Sequence, residues 1–370
     1  MIYFDNAASG YFKPSSVCSA VERIMKTLSV NAGRSSHRLA VQAQRLIFDT
    51  RKIISKTFNN GAIDRVIFTL NCSEALNLAI FGTRLRYGEI VTTVTEHNSV
   101  LRPIKHLEES GVRIKYARLS DAPNIKAEDV LALVGKKTDL VVMNAVSNVT
   151  GEKNEFEKVA AELKKIGIPL IVDGAQAGGH IPIDMSCGIN CLCLAGHKGL
   201  MAAQGVGVLV FDKNSDIAPT FFGGSGTESF LPRPSYYPEL LEVGTQNLPA
   251  IASLSEGIKY VVERGAVIGK TMTSLTSLLI GKLKKNELIT LYSRPNPFGI
   301  VSFSHKKYDS MKLSGILIER FDIATRGGFH CAPLIHKALG TDKEGLLRVS
   351  FSSFNTESEI DALLSALSLL

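Results

Sequence analysis

Cysteine is scarce in this sequence, and so are the features that direct a protein out of the cell. Six cysteines among 370 residues are far below the density of a disulfide-stabilised scaffold. The first residues, MIYFDNAASGYFKP, lack the charged stretch and apolar segment of a secretory signal. We therefore expect a reducing, cytoplasmic environment. A chain of this length can bury about three quarters of its unfolded surface, so its core needs neither disulfides nor a structural metal.

Long apolar runs and clusters of one charge are also missing. Lys, Asp or Asn interrupts each apolar segment before it reaches the roughly 20 residues of a membrane-spanning helix. The 42 Lys and Arg outnumber the 35 Asp and Glu, giving a net charge of +7. These cations are dispersed, however, and the longest basic runs are short pairs such as Lys164-Lys165 and Lys284-Lys285. Because nucleic-acid binding needs concentrated positive charge, we expect neither a nucleic acid nor a membrane as partner.

The middle of the chain alternates short β-branched runs with longer helical patterns. In residues 155–165, for example, Phe156, Val159 and Leu163 recur at helical spacing. Regular alternation of strand and helix predicts an α/β fold, with a mostly parallel sheet covered by helices on both faces. We predict its strands at residues 65–69, 89–93, 113–116, 139–144, 169–172, 191–195 and 207–211.

The pattern changes after about Pro249, which indicates a second unit. A long helical pattern runs through residues 251–264 and onward, followed by strands near 299–304, 323–325 and 347–351 and a closing helix at 357–369. We predict a large domain at residues 13–249 and a smaller α+β domain formed by residues 1–12 and 250–370. No internal repeat or polar linker separates them, so the two domains should pack closely.

An acid and a lysine follow two of the predicted strands. Asp173 comes directly after the run PLIV, and Lys198 follows the run CLCLA. Carboxyl ends of parallel strands meet at the edge of the sheet where ligands bind. A pyridoxal phosphate enzyme needs this pair, because a lysine forms a Schiff base and a carboxylate keeps the pyridine nitrogen protonated. From spacing alone, Asp173 as a helix cap and Lys198 as a solvated loop residue are equally acceptable.

Further polar residues follow other strands. The segment Thr69–Glu74 opens a helix, where backbone N–H groups and the Ser73 hydroxyl can hold a phosphate. An ordinary capping box explains the same residues. His97 follows the run EIVTTV and can cover a planar cofactor, or can be a hydrogen-bonded loop residue. Asn148 also follows a strand.

Together these residues resemble the class V, fold type I pyridoxal phosphate enzymes, within them the cysteine desulfurase and selenocysteine lyase group. The matching segments lie in the family's order over almost the whole chain. They are YFDNAAS (3–9), GRSSHRLA (33–40), NCSEALNLA (71–79), TEHNSV (95–100), VSNVTGE (146–152), VDGAQ (172–176), GHKG (196–199), EVGTQN (242–247), RGGFHCAP (326–333) and LLRVSFSSFNT (346–356).

The resemblance implies a role for each matching residue. Lys198 becomes the Schiff-base lysine and Asp173 the partner of the pyridine nitrogen. The other cofactor contacts implied are Gln176 at the ring oxygen, His97 stacked on the ring, Cys72, Ser73 and His197 at the phosphate, and Thr245 reaching the phosphate of the neighbouring subunit. Thr245 thereby implies a homodimer. Arg348 is expected to hold the substrate carboxylate, with Asn148 beside the substrate and Arg326 as a further cation for it.

Cys331 is the residue that selects the reaction. In this family a cysteine on a small-domain loop attacks the sulfur of the substrate, so that L-cysteine becomes L-alanine and the enzyme keeps a persulfide. Gly327 and Gly328 precede Cys331 in a loop, and Arg326 and His330 can supply positive charge that favours a thiolate. A buried structural cysteine is the plainer alternative. A sulfur-acceptor protein is an expected partner of such an enzyme.

Other functions remain open at this point. A selenocysteine lyase, or another β-elimination or transamination enzyme, would keep nearly the same cofactor site. A catalytically silent sulfur-carrier docking protein is the non-enzyme alternative. Ala195 stands where many relatives of this family have a phosphate-binding serine, and Cys72 stands where they have a threonine. The contacts to the phosphate can therefore differ from those of the relatives.

Two further patterns do not predict sites. Cys187, Cys191, Cys193 and His197 lack the two-residue spacing of zinc ligands, so no metal site is expected. The segment 265–271 resembles a phosphate loop but is one residue short and lies in a helical pattern.

Overall fold

The computed structural model describes residues 1–32, 35–85, 87–120 and 122–370. Gly33 and Arg34, which begin one of the matching segments, lie outside them. The strands are β1 (Ile2–Tyr3), β2 (Val66–Thr69), β3 (Glu89–Thr93), β4 (Arg113–Ala117), β5 (Thr138–Asn144), β6 (Leu170–Asp173), β7 (Cys191–Ala195), β8 (Gly207–Phe211), β9 (Ile289–Leu291), β10 (Ile300–His305), β11 (Ile323–Ala324) and β12 (Leu347–Ser350). The predicted strands all form, with ends that differ by a residue or two.

The α-helices in the described ranges are α1 (Ser15–Thr27), α2 (Arg38–Phe58), α3 (Cys72–Gly82), α4 (Asn98–Glu109), α5 (Ala127–Leu131), α6 (Phe156–Ile166), α7 (Leu248–Leu283), α8 (Ser310–Phe321), α9 (Pro333–Leu339) and α10 (Glu357–Ser368). The phosphate-loop-like segment 265–271 lies inside α7. No helix in the described part of the chain is long and apolar enough to cross a membrane.

A seven-stranded sheet forms the centre of the molecule, in the order β2-β8-β7-β6-β5-β3-β4. Strands β4, β3, β5, β6 and β7 pair in parallel, whereas β8 is antiparallel to both β7 and β2. Alternating residues of the parallel strands, such as Ile171 and Val172, are buried in apolar clusters on opposite faces. The mostly parallel α/β sheet with two covered faces is therefore confirmed.

The C-terminal part forms a second, smaller sheet. Strands β12, β10 and β9 pair antiparallel, and β1 from the N-terminus pairs with β11. The 36-residue helix α7 is roughly 54 Å long at 1.5 Å per residue and contacts α1 and α2 as well as β9 and β10. The division of the chain near residue 249 stays a prediction, because this continuous helix contacts helices α1 and α2 of the N-terminal part as well as two strands of the smaller sheet.

Candidate active site

Asp173 and Lys198 lie at neighbouring strand ends and line one cavity. Asp173 is the last residue of β6 and is paired in register with Cys193 of β7. Lys198 follows three residues after β7 ends at Ala195. The cavity that contains both side chains has a volume of about 240 Å³. The parallel pairing of β6 with β7 thus brings together two residues that are 25 positions apart in sequence.

Burial sets the electrostatics of this pair. The Asp173 side chain accepts hydrogen bonds from the Ala175 backbone N–H at 2.9 Å and from the Cys72 thiol at 3.7 Å. Burial raises the pKa of Asp173, while the Ala175 hydrogen bond and the nearby Lys198 charge oppose that rise. Burial also lowers the pKa of Lys198, which favours the neutral, nucleophilic amine. Among the described residues Asp173 forms no ion pair, so a cationic ring nitrogen suits this carboxylate.

The N-terminus of α3 forms another wall of the cavity. Asn71 caps the helix by accepting the Glu74 backbone N–H at 3.0 Å. This cap leaves the first turn open to a ligand, since Cys72 and Ser73 line the cavity. His197 lies on the same cavity, with Nδ1 3.0 Å from the Ser9 hydroxyl. Burial lowers the pKa of His197 to about 4, so this imidazole is neutral at physiological pH.

His97 is the N-cap of α4, and its ring also lines the cavity. Nδ1 accepts the Ser99 backbone N–H at 3.0 Å. Because Nδ1 is an acceptor, the hydrogen of the neutral ring lies on Nε2. Burial, followed by the charge of Lys198, lowers the pKa of His97 to about 4. At neutral pH this residue therefore presents an uncharged ring with a single N–H donor.

Arg348 and Asn148 supply unpartnered polar atoms to the cavity. The Arg348 guanidinium is 1% exposed and donates to the Asp5 carboxylate at 2.8 Å and to the Asn148 carbonyl at 3.0 Å. The Asn148 amide donates to the His330 carbonyl at 2.7 Å. Arg348 Nε and Asn148 Oδ1 are buried and have no hydrogen-bond partner among the described residues. A donor and an acceptor are thus left for a ligand.

Cys331 is exposed and lies on the loop between β11 and α9. His330 and Cys331 both adopt left-handed backbone angles, with φ of 49° and 57°, which non-glycine residues rarely do. Arg326 Nη2 lies 3.9 Å from the Cys331 sulfur. A guanidinium cation therefore faces that sulfur.

The prediction that His330 carries a positive charge is wrong. Its side chain is 3% exposed, and Nε2 lies 3.0 Å from the Leu346 carbonyl oxygen, to which it donates. Burial lowers the pKa of His330 well below its ordinary value. The imidazole is therefore neutral, and Arg326 is the cation that contacts the Cys331 sulfur.

Of two further residues predicted to contact the cofactor, one lines the cavity and the other does not. Gln176 lines the cavity and donates its side-chain N–H to the Ala7 carbonyl at 2.9 Å. Thr245 is exposed and lines a separate depression beside Phe221 and Val243. Within one chain, Thr245 is therefore absent from the cavity that holds the other predicted site residues.

The strand cysteines are packed in the sheet. Cys191 and Cys193 lie on β7 and are buried in the apolar cluster on one face, and burial raises the pKa of both thiols. In the described ranges no three metal-binding side chains come together.

Sequence reasoning missed several residues at the site. Asp5 pairs with Arg348, Ser99 contacts His97, and Glu96 is a fully buried carboxyl beside the cavity wall at Asn144. All three belong to the matching segments YFDNAAS and TEHNSV, and this membership was the sequence feature that could have identified them. The partners Arg348 of Asp5 and Asn144 of Glu96 come from distant segments, so these two roles could not be inferred from the sequence. Ser99 lies only two residues from His97.

A lysine and a buried carboxylate at adjacent strand ends, beside a helix N-terminus that can hold an anion, suit a pyridoxal phosphate cofactor. The chain belongs to the class-V aminotransferase family, whose model matches residues 2–363. Its curated relatives include a probable cysteine desulfurase of Pyrococcus abyssi, 31% identical over 99% of this chain and 93% of the relative. Another from Borreliella burgdorferi is 29% identical over 98% of this chain and 89% of the relative.

Solved structures agree with the fold. The apo structure of a cysteine desulfurase from Thermococcus onnurineus NA1 has a TM-score of 0.91 and 29% identity, covering 100% of this chain and 94% of that one. The cysteine desulfurase CsdA of Escherichia coli has a TM-score of 0.88 at 24% identity, covering 99% and 94%. The expected fold type I architecture is confirmed.

Proposed function

We propose that the chain is a pyridoxal phosphate-dependent cysteine desulfurase, which converts L-cysteine to L-alanine and keeps the sulfur as a persulfide on Cys331. The observation that carries this proposal is the cavity of about 240 Å³, which Lys198, Asp173 and Cys331 all line. A site with the lysine and carboxylate but no cysteine would fit many pyridoxal phosphate enzymes. The cysteine beside them selects sulfur transfer.

The residues around the cavity fit pyridoxal 5′-phosphate. Asp173 would pair with its ring nitrogen, Gln176 would contact its ring oxygen and His97 would cover the ring. Cys72 through its backbone N–H, together with Ser73 and His197, would hold its phosphate, because the Cys72 thiol donates to Asp173 and the N–H groups of α3 favour an anion. When bound to Lys198, the cofactor supplies an electron sink for the substrate's reacting carbon atoms.

Substrate recognition rests on the buried polar atoms without partners. Arg348 Nε is a donor and Asn148 Oδ1 is an acceptor, so an amino acid can satisfy both. We propose that Arg348 binds the substrate carboxylate and that Arg326, which contacts the Cys331 sulfur, is an additional cation for the substrate. Leaving these buried atoms unpaired costs about 1–3 kcal/mol each, which favours a ligand that supplies the missing partners.

The chain's own residues then carry the sulfur and proton transfers. Lys198 Nζ takes the α-proton, and its lowered pKa keeps the amine in the neutral form that can accept one. The Cys331 thiolate attacks the substrate sulfur, forming an S–S bond as the carbon–sulfur bond breaks. The electron pair of the broken bond stays on the β-carbon, which takes up a proton. Lys198 returns the α-proton to the α-carbon, and alanine leaves. His97 Nε2–H is the neutral donor available in the cavity wall for moving a proton.

A second copy of the chain would complete the site. Thr245 is exposed and lies outside the cavity of its own chain, which supports a role in a neighbouring subunit. We therefore propose a cytoplasmic homodimer in which each Thr245 contributes to the partner's phosphate site. The exposed Cys331 would pass its sulfur to an acceptor protein.

The decisive experiment replaces Cys331 by serine in the full-length protein. The cofactor absorbance should persist while alanine formation from L-cysteine collapses. Cys18→Ser is the matched control, because Cys18 is also exposed but lies on α1 away from the cavity. Full alanine formation by the Cys331→Ser variant would remove Cys331 from the mechanism.

Two measurements separate the alternative functions. Relative turnover of L-cysteine, selenocysteine and cysteine sulfinate distinguishes a desulfurase from a selenocysteine lyase or another elimination enzyme. Borohydride reduction followed by peptide mapping should place the cofactor on Lys198. A colourless protein without that adduct would favour a catalytically silent docking protein.

A further inference from the structure

Ser99 connects two parts of the site that come from different helices. It is the second residue of α4, lines the cavity and is half-buried. Its hydroxyl oxygen lies 2.6 Å from the Ser73 hydroxyl on α3 and 2.9 Å from His97 Nδ1. Its backbone N–H also donates to His97 Nδ1 at 3.0 Å. Ser99 is thus the contact between the phosphate end of the cavity and the ring of His97.

The hydrogen atoms of this cluster can be assigned by counting donors and acceptors. His97 Nδ1 has one lone pair, and the Ser99 backbone N–H already uses it. The Ser99 hydroxyl hydrogen therefore has its better acceptor in the Ser73 oxygen, which is also the nearer atom. In this arrangement Ser73 accepts from Ser99 and keeps its own hydrogen for another acceptor.

The direction of the Ser73–Ser99 hydrogen bond decides what Ser73 offers a ligand. With Ser99 donating, Ser73 presents an O–H group, which an anion requires. With Ser73 donating to Ser99, the cavity would meet only lone pairs of Ser73, which repel an anion. Hydrogen bonds in such chains also strengthen one another.

We propose that Ser99 is a positioning residue for the phosphate group, acting by orienting the Ser73 hydroxyl as a donor. The inference rests on the proposed pyridoxal phosphate site. It predicts that Ser99 acts on the phosphate alone and only through Ser73. Both His97 and its hydrogen bond from the Ser99 backbone should stay unchanged when the hydroxyl is removed.

The test measures the affinity of the cofactor-free full-length protein for pyridoxal phosphate and for pyridoxal, which lacks the phosphate. Ser99→Ala should weaken pyridoxal phosphate binding about two- to tenfold, as expected for one lost hydrogen bond, and leave pyridoxal binding unchanged. Ser99→Thr, which keeps a hydroxyl, should restore the affinity. The ¹⁵N NMR signals of His97 should report the same tautomer in Ser99→Ala as in the unchanged protein.

A double-mutant cycle tests the route through Ser73. In a Ser73→Ala background, Ser99→Ala should cause no further loss of affinity. A Ser99→Ala protein that binds pyridoxal phosphate as tightly as the unchanged chain would overturn the inference. So would an equal loss of affinity for pyridoxal, or an undiminished loss of affinity when Ser99→Ala is made in the Ser73→Ala background. If the unchanged chain bound neither compound, the proposed function would fail together with this inference.

Discussion

The backbone N–H of Asn98 donates a hydrogen bond to the carbonyl oxygen of Cys331, with 2.6 Å between the two atoms. Asn98 is the first residue of α4, where backbone N–H groups lack partners within the helix. The bond joins the helix capped by His97 to the loop that carries the proposed nucleophile. Because Cys331 has a left-handed backbone, an external contact of this kind helps to hold it in place.

Replacing Asn98 by proline should loosen the Cys331 loop. Proline is well accepted at the first position of a helix, and the extended backbone of His97 suits a following proline, so the change removes little besides the N–H donor. We expect alkylation of Cys331 by iodoacetamide to accelerate about two- to tenfold and alanine formation to slow.

Asn98→Ala is the matched control, because it retains the backbone N–H. Its alkylation rate should equal that of the unchanged protein. Equal rates in the alanine and proline variants would show that this hydrogen bond does not hold the loop.

Glu96 should make the folding stability depend on pH. It is fully buried, and its carboxyl accepts hydrogen bonds from the Thr93 hydroxyl and from the Asn144 backbone N–H. Burial raises the pKa of Glu96 from 4.5 to about 8. Since the folded state holds this proton more tightly, the stability it contributes is complete below pH 4.5 and is lost as the pH rises through about 8.

Glu96→Gln keeps the shape of the side chain and cannot ionise. We expect it to reduce the loss of unfolding free energy between pH 5 and pH 8.5, which is on the order of a few kcal/mol for the native carboxyl. Urea unfolding at both pH values measures this. Glu109→Gln, at an exposed position of α4, should retain the original pH dependence; the same dependence in Glu96→Gln would contradict the assignment.

Gly257 should be required for the packing of α7 against the loop after β7 that carries Lys198. A Cβ at this position would lie 2.1 Å from the Leu200 carbonyl oxygen, two residues beyond Lys198. Gly257→Ala should therefore displace that loop, lowering the unfolding free energy by about 1–3 kcal/mol and weakening cofactor binding.

Gly265, in the same helix, has open space around its Cβ position. Gly265→Ala should raise the unfolding free energy by up to about 1 kcal/mol, because alanine favours a helix over glycine. Urea unfolding and cofactor titration of both variants make the comparison. Two variants with the same stability and affinity would argue against close packing at Gly257.

The strands that position the site could be predicted because their residues are locally distinctive. The runs PLIV and CLCLA are short and apolar and lead into Asp173 and Lys198, and buried strands that pair in parallel form at both. The charge on His330 could not be predicted in the same way. A histidine next to a cysteine and two residues after a Gly-Gly pair is expected to be solvated, but in the fold it is buried, donates to the Leu346 carbonyl and is neutral.

Sequence alone determined the α/β class, the family and the identities of Lys198, Asp173 and Cys331 as candidates, because hydrophobic periodicity and ordered motifs are properties of neighbouring residues. Only the tertiary structure decided which side chains share a cavity and which polar atoms lack partners. The pairing of Asp5 with Arg348, the Ser73–Ser99 contact and the location of Thr245 outside its own chain's cavity depend on segments distant in sequence. Such contacts arise from packing between sheets and helices, and burial then sets the pKa of each group.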